Sequence, residues 1–162
     1  MDNLSLHEDR PSQNQRQIHR IIPWMPILLI LCQANTSSQK WSQLQQLCPE
    51  LIETHWRGYS YIRLFSCCLF EMLLIHLPPA TDTGIHCHDS WYNVNILIAG
   101  EAAIDSKYKI RGGKPKLVQE QKLSKGQFSQ LMRYRPHNLC CPGSAIDPTM
   151  TLNIHFPNRT ES

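Results

Sequence analysis

The stretch that decides the fold is "GIHCHDSWYNVNILIAG" at residues 84–100, where two histidines separated by one residue precede an apolar run that ends in glycine. Side chains at positions i and i+2 of a strand point to the same face, so His86 and His88 can share one metal ion. Two ligands do not complete a coordination shell, and a third must come from elsewhere in the chain. Two histidines in later strand-like segments, His137 and His155, are the candidates.

The chain after Gly58 has the pattern of short strands. Eight apolar runs follow one another, separated by Pro, Gly, Asp or Ser, and no helical period lies between them. This pattern predicts an all-β sandwich or barrel over residues 58–158. The runs are "YSYIRLF", "CLFEMLLIHL", "WYNVNILIAGEAAID", "KYKIRG", "KLVQEQKL", "GQFSQLMRY", "HNLCCP" and "MTLNIHF".

The segment before Gly58 predicts a polar tail and then helices. Residues 1–17 are polar and predicted to be disordered, and residues 18–57 are predicted to form a helical segment that packs outside the barrel. "SSQKWSQLQQLCPELIETHW" (37–56) places apolar residues at helical steps after candidate serine caps, and Pro49 predicts a break into two short helices. "IIPWMPILLILC" (21–32) is too short to span a membrane and lacks signal-peptide features, so we expect a buried helix or strand.

Composition narrows the class of protein. With 162 residues, 41% of them apolar and 18% charged, the chain predicts one domain with its own core. The net charge is +3, and the only basic cluster, residues 107–116, predicts a hairpin tip with solvated lysines, which disfavours a nucleic-acid partner. Seven cysteines without a Cys-x-x-Cys pair favour free thiols in the cytoplasm. We expect a monomer or homodimer with neither nucleic acid nor membrane as a partner.

The opening stretch resembles the first motif of the cupin superfamily, which runs Gly, His-x-His, a glutamate three or four residues on, and Gly after six more. His86, His88 and Gly100 fit this motif, whereas Asn93 stands where the metal-binding glutamate would be. Among cupins, the thiol dioxygenases (cysteine dioxygenase and its bacterial relatives) lack that glutamate. The surrounding "HWRGYSYIRLF" and "FEMLLIHLPPATDTGIHCHDSWYNVNILIAGE" are also similar to that family, and the resemblance covers residues 50–157.

The resemblance implies a cupin (double-stranded β-helix, or jelly-roll) barrel with short N-terminal helices and a metal site of three histidines. The implied cofactor is Fe(II), although another divalent metal is possible, and its implied ligands are His86, His88 and His137. The arginine that binds the substrate carboxylate in the family corresponds to Arg63, while an alignment from Trp56 without a gap places Tyr61 there. Both assignments remain open at this point.

The last strand departs from the family. Mammalian-type members carry Ser, His and Tyr at alternate positions, whereas this chain has Thr151, Asn153 and His155, which alternation places on one face. Asn93 also replaces the cysteine that is crosslinked to the tyrosine in some members, so that crosslink cannot form here. We therefore expect a polar face with altered chemistry.

The implied activity is that of an Fe(II) dioxygenase that oxidises a small thiol- or carboxylate-bearing substrate with O2. His155 is expected to act as an acid/base, as a hydrogen-bond donor behind the ligands or as a fourth ligand, and Tyr61 is the second candidate catalytic residue. The alternatives are a metal-dependent isomerase, decarboxylase or dicarbonyl-cleaving dioxygenase, and a non-catalytic binding cupin. The candidate substrate-binding residues are Arg63, Asn93, Asn153 and Thr151.

Overall fold

The computed structural model describes residues 24–156, and these form two helices, a 3-10 turn and nine strands. The predicted tail of residues 1–17 lies outside the described residues. The elements in chain order are α1 Trp24–Cys32, α2 Ser37–Leu47, the 3-10 turn Pro49–Leu51, β1 Ile52–Thr54, β2 Ser60–Ser66, β3 Glu71–Leu77, β4 Tyr92–Ala99, β5 Ala103–Arg111, β6 Lys114–Leu123, β7 Phe128–Met132, β8 His137–Cys140 and β9 Thr149–Phe156.

The strands form two antiparallel sheets that face each other. The six-stranded sheet has the order β1-β2-β3-β9-β4-β7, and the three-stranded sheet has the order β6-β5-β8. Apolar side chains from both sheets meet between them in one cluster, and this burial of two inner faces holds the sheets together. The cluster contains Ile75, Leu77, Leu97, Ala103, Leu123 and Leu139. The facing sheets confirm the predicted all-β class.

A second apolar cluster lies on the outer face of the six-stranded sheet and attaches the helices. Trp41 and Leu44 of α2 pack there against Ile62 and Leu74 of the sheet, because their spacing places them on one face of the helix. The cap of α2 is Thr36 rather than a serine: the Gln39 backbone N–H donates to Thr36 Oγ1 at 3.2 Å. The predicted serines instead lie in the first turn.

Two expectations about the N-terminal segment are wrong. Pro49 begins a single 3-10 turn rather than a second α-helix, and the chain then pairs with β2 as strand β1. Residues 24–32 form the expected helix, but Ile27 is its only buried residue, whereas Met25 is 68% exposed. Apolar side chains surround this helix, but only one of its sides contacts the sheet. The side chains on the opposite side of the helix therefore stay exposed. No helix within residues 24–156 is long and apolar enough to cross a membrane.

The basic cluster of residues 107–116 forms the predicted hairpin, but one of its lysines is buried. β5 and β6 are joined at Gly112 and Gly113, whose φ angles of 58° and 74° suit a tight two-residue turn. Lys109, like the lysines beyond the turn, is exposed, but Lys107 has only 7% of its surface exposed. The expectation that all these lysines are solvated is therefore wrong for Lys107, because β5 alternates and position 107 shares the inner face with Asp105.

The barrel interior changes from apolar to polar along its length. At one end, Leu97 opposes Thr151 in the pairing of β4 with β9, within the apolar cluster. Toward the other end, Asn95 opposes Asn153 and Asn93 opposes His155. The polar end is therefore where a hydrophilic ligand or a metal ion can be bound.

Candidate metal centre

The two histidines of the opening stretch lie in an extended loop rather than in a strand. The loop forms two isolated bridges, and in one of them the backbone of His86 exchanges hydrogen bonds of 3.0 and 2.8 Å with that of His137. Nevertheless the two imidazoles lie on the same side, with 3.1 Å between the Nε2 atoms of His86 and His88. The predicted side-by-side arrangement is confirmed, and the predicted strand is wrong.

A turn built on glycine aims His86. The Gly84 N–H donates to Asp82 Oδ1 at 2.6 Å, and Gly84 has a φ of +74°, which a side chain would disfavour. This conformation presents the Gly84 carbonyl oxygen to His86 Nδ1 at 2.9 Å. The hydrogen bond fixes the ring, so Nε2 is the atom directed at the other histidines.

His137 at the start of β8 completes a group of three histidines whose ligand atoms all lie within 4.8 Å of one another. The Nε2 atoms of His88 and His137 are 3.0 Å apart. Nitrogens bound at right angles to one ion at about 2.1 Å are separated by about 3.0 Å, so the observed spacing suits a shared metal. His155, the other candidate third ligand, is not part of this group.

The hydrogen bonds of the rings also fit a cation. We assign the Nδ1 protons of His86 and His137 as donors to Gly84 O and to Asp105 Oδ1, the latter at 3.0 Å, which leaves both Nε2 atoms as acceptors. His88 Nε2 faces both of them and carries at most one proton. In one of its two contacts, with His86 or with His137, the lone pair of His88 Nε2 would then face the lone pair of the other Nε2 atom. A metal ion bound by all three nitrogens removes that repulsion.

Burial keeps the rings of His86 and His88 neutral. It lowers the pKa of His86 to about 4, assisted by the neighbouring His137 and opposed by the hydrogen bond to Gly84. Burial, with His155 and His86 nearby, also holds the pKa of His88 well below its usual value. A neutral imidazole is the form that binds a metal, so protons do not compete at neutral pH.

Asp105 on β5 is a residue of the candidate site that the sequence did not reveal. It is fully buried against His137, which is itself 1% exposed. Burial would raise the pKa of Asp105, but the hydrogen bonds from His137 and Ser129 outweigh it and hold that pKa below its usual value. A carboxylate behind a metal-binding histidine fixes the ring and raises its basicity. Only the pairing of β5 with β8 brings these two residues together, so no local signal in the sequence could identify Asp105.

A second network lies beside the three histidines. The His155 ring lies against the His88 ring, with 4.3 Å between their centroids, and its Nδ1 is 3.5 Å from Glu71 Oε2. Arg63 Nε binds the other oxygen of Glu71 at 2.9 Å. Burial would raise the pKa of Glu71, but the hydrogen bond of His155 and the charge of Arg63 hold it below its usual value. The network connects predicted site residues through Glu71, which the sequence did not single out.

Solved structures similar to this one include several cupins. An RmlC-like cupin from Shewanella frigidimarina superposes with a TM-score of 0.51 and 15% identity over 68% of this chain and 86% of that one. KdgF from a Halomonas species gives 0.52 and 10% over 68% and 88%, and TT1209 from Thermus thermophilus gives 0.51 and 16% over 67% and 92%. The chain has the cupin fold. No protein-family model and no curated protein matches the sequence.

The three-histidine group on this cupin fold could hold a metal ion. The predicted polar side chains of β9 lie on the inner face of the fold. Thr151 and Asn153 are buried, and their Oγ1 and Oδ1 atoms have no hydrogen-bond partner among residues 24–156. Asn95 Oδ1 and His155 Nε2 are unpartnered in the same way. Buried polar atoms without partners are costly, so this wall is suited to contact water or a polar ligand.

The remaining predicted residues make defined contacts in the cupin barrel. Asn93 is buried, and its Oδ1 accepts a hydrogen bond from Ser90 Oγ. Tyr61 lies two residues before Arg63 on β2, and its hydroxyl donates to Glu53 at 2.5 Å. Burial and that carboxylate raise the pKa of Tyr61, which holds it as a phenol. Arg63 has a 48% exposed side chain, and its charge is already compensated by Glu71.

Proposed function

We propose that this cupin is a non-haem Fe(II) dioxygenase of the cysteine dioxygenase-like type, which oxidises a small thiol- or carboxylate-bearing substrate with O2. One observation carries the proposal. The metal-ligating group consists of three histidines without a carboxylate, and Asn93, at the position of the glutamate in other cupins, is bonded to Ser90. Three neutral ligands leave positions on the ion for substrate and dioxygen.

Bound Fe(II) would supply the binding and reduction of O2 and, through its uncompensated charge, would favour the thiolate of a coordinating substrate. For a thiol the balance is R–SH + O2 giving R–SO2H, so both oxygen atoms are found in a sulfinic acid and no other reductant is needed. Fe(II) therefore requires only the substrate and dioxygen as partners.

The residues of the chain perform the supporting tasks. Asp105 and Gly84 orient the rings of His137 and His86, so the three imidazoles are fixed before a substrate arrives. His155, held by Glu71 and placed against His88, is positioned to hold or release a proton at its unpartnered Nε2. Thr151 and Asn153 offer unpartnered oxygens to a polar substrate.

A reaction driven by proton transfer, in an isomerase or decarboxylase with another divalent metal, is the alternative. The pair of His155 and Glu71 favours it, because a histidine held by a carboxylate is suited to acid/base chemistry. We also propose a cytoplasmic location, which the seven free cysteines of residues 24–156 favour.

The experiment is to load the purified protein with Fe(II) under argon, add O2, and follow oxygen consumption with carboxylated and uncharged thiols. We expect one O2 consumed per thiol and a sulfinic acid as product, with neither from the His86→Ala variant. Metal binding without thiol-dependent oxygen consumption would overturn the oxygenase and favour the alternative. Absence of metal binding would leave a non-catalytic binding cupin.

A further inference from the structure

Lys107 is a buried cation on the inner face of β5. Only 7% of its surface is exposed, its ammonium nitrogen keeps contact with solvent, and no hydrogen bond or ion pair joins that nitrogen to another residue of the described range 24–156. The stem of the side chain is buried, and the ammonium group at its tip can donate three hydrogen bonds. An ammonium group that the neighbouring residues leave unpaired is available to a ligand.

Lys40 shows what a structural buried lysine looks like in the same molecule. It is 1% exposed, and its ammonium donates to the backbone carbonyls of Ile30 at 3.0 Å and Leu31 at 2.8 Å, and to that of Gln33. Those carbonyls lie at the C-terminal end of α1 and in the residues that follow it, so Lys40 satisfies groups that the helix leaves unpaired. Lys107 has no comparable set of acceptors.

The strand register places Lys107 next to the metal group. Lys107 pairs directly with His137 in the ladder between β5 and β8, and directly opposed residues of an antiparallel pair point to the same face. The charge of Lys107 also acts on Asp105, the carboxylate that holds His137. Asp105 uses its Oδ1 for His137, and no ion pair with Lys107 forms, so the ammonium remains available.

Lys107 also lines a cavity of about 380 Å³ that we call the β6–β7 cleft. The cleft lies where the edge strands of the two sheets approach each other, and Gln121 Nε2 on β6 donates to the Phe128 carbonyl on β7 at 3.1 Å. Its other lining residues are Tyr92, Phe128, Gln130 and Met132. The cleft thus joins solvent to a cation that lies beside the candidate metal centre.

Arg63, the residue that the sequence suggested for this task, is less suited to it. Its guanidinium already binds Glu71 at 2.9 Å, and its side chain is half exposed. A substrate carboxylate would have to displace Glu71 and compete with water there. At Lys107 the anion would meet a charge that has no ion pair within residues 24–156.

We propose that Lys107 is the anion-binding residue of the candidate site and holds the carboxylate of a small substrate that enters through the β6–β7 cleft. This inference rests on the proposed function for the metal-bound end of the substrate. The contact of Lys107 with a carboxylate is independent of whether that end is a thiol.

The test is an NMR chemical-shift titration of the zinc-loaded protein, or of the metal-free protein if no zinc is bound. Three probes separate the groups: 3-mercaptopropionate carries a thiol and a carboxylate, propionate only the carboxylate, and 2-mercaptoethanol only the thiol. Lys107→Met removes the charge and keeps the length of the side chain. Lys109→Met, two residues along β5 and exposed, is the matched control.

We expect Lys107→Met to weaken binding of both carboxylates at least about tenfold, the scale of a charge-assisted hydrogen bond, and to leave 2-mercaptoethanol unchanged. The control should bind all three probes as the wild type does. Unchanged carboxylate binding in Lys107→Met, equal losses for all three probes, or no carboxylate binding by the wild type would each overturn the inference. If propionate and 3-mercaptopropionate bind with equal, Lys107-dependent affinity and 2-mercaptoethanol does not bind, the result would support Lys107 and overturn thiol oxidation.

Discussion

At the scale of single residues, the buried pair of His137 and Asp105 supports the candidate metal centre. The carboxylate accepts the Nδ1 proton of His137 at 3.0 Å and thereby leaves Nε2 free to bind an ion. Gly84 performs the same task for His86 with a backbone carbonyl, which carries no net charge. Of the two supports, Asp105 is the one whose charge can be removed by a conservative substitution.

The substitution Asp105→Asn is expected to weaken metal binding about 10- to 100-fold, because the amide has no negative charge and can select the wrong tautomer of His137. Competition with a chelator of known affinity measures the loss. Glu120→Gln, on the neighbouring strand β6 and exposed, is the control and should bind metal as the wild type does. Equal affinities for Asp105→Asn and the wild type would show that His137 does not depend on this carboxylate.

At the scale of elements, α2 is attached to the sheet through an aromatic stack that requires a neutral histidine. His76 of β3 stacks on Trp41 with 4.6 Å between ring centroids and 4° between planes, and its Nε2 is buried without a partner in the described part of the chain. Burial lowers the pKa of His76 from 6.5 to about 4. Protonation of this residue therefore opposes the packing of the helix.

Because the unfolded chain binds this proton at a higher pH than the folded chain, stability should fall as the pH decreases from about 6.5 to about 4. The contribution of His76 to that loss is at most about 3 kcal/mol. Denaturant unfolding of the metal-free wild type and of His76→Phe should be measured across this pH range. The difference between the two proteins isolates the contribution of His76 from that of the other buried histidines. The variant keeps a stacked ring and should show a smaller pH dependence, and identical pH dependences would exclude His76.

The conformation of the chain just after β4 requires a glycine at position 100. Gly100 has a φ of +101°, and a Cβ there would lie 2.5 Å from the Pro148 carbonyl oxygen. Gly113, at the tip of the hairpin, also has a positive φ, but nothing lies within 4 Å of its Cβ position. A substitution at Gly113 therefore measures the cost of backbone strain alone, whereas one at Gly100 adds a steric clash.

We expect Gly113→Ala to cost about 1 kcal/mol of the free energy of unfolding and Gly100→Ala about 1–3 kcal/mol more. Thermal or denaturant unfolding of the two variants measures both values. Equal losses would mean that Pro148 moves aside without cost and that the close approach at Gly100 is unimportant.

At the scale of the whole molecule, the sequence predicted the barrel and the three histidines that it brings together, but not the residues that support those histidines. Alternating runs divided by Pro and Gly identify strands locally, and His-x-His with a later histidine is a local signal of the same kind. Asp105, Glu71 and Lys107 are placed by cross-strand register, which no short window contains. The prediction that Lys107 is solvated was wrong because the basic segment 107–116 contains both the hairpin tip and the inner positions of β5 that precede it.

The central claim is that His86, His88 and His137 bind one metal ion, and metal analysis of two neighbouring variants tests it most directly. The rings of His88 and His155 lie 4.3 Å apart, yet only His88 belongs to the ligand group. We predict one metal ion per chain in the wild type and in His155→Ala, and close to none in His88→Ala. A His88→Ala variant that retains its full metal content would contradict the account.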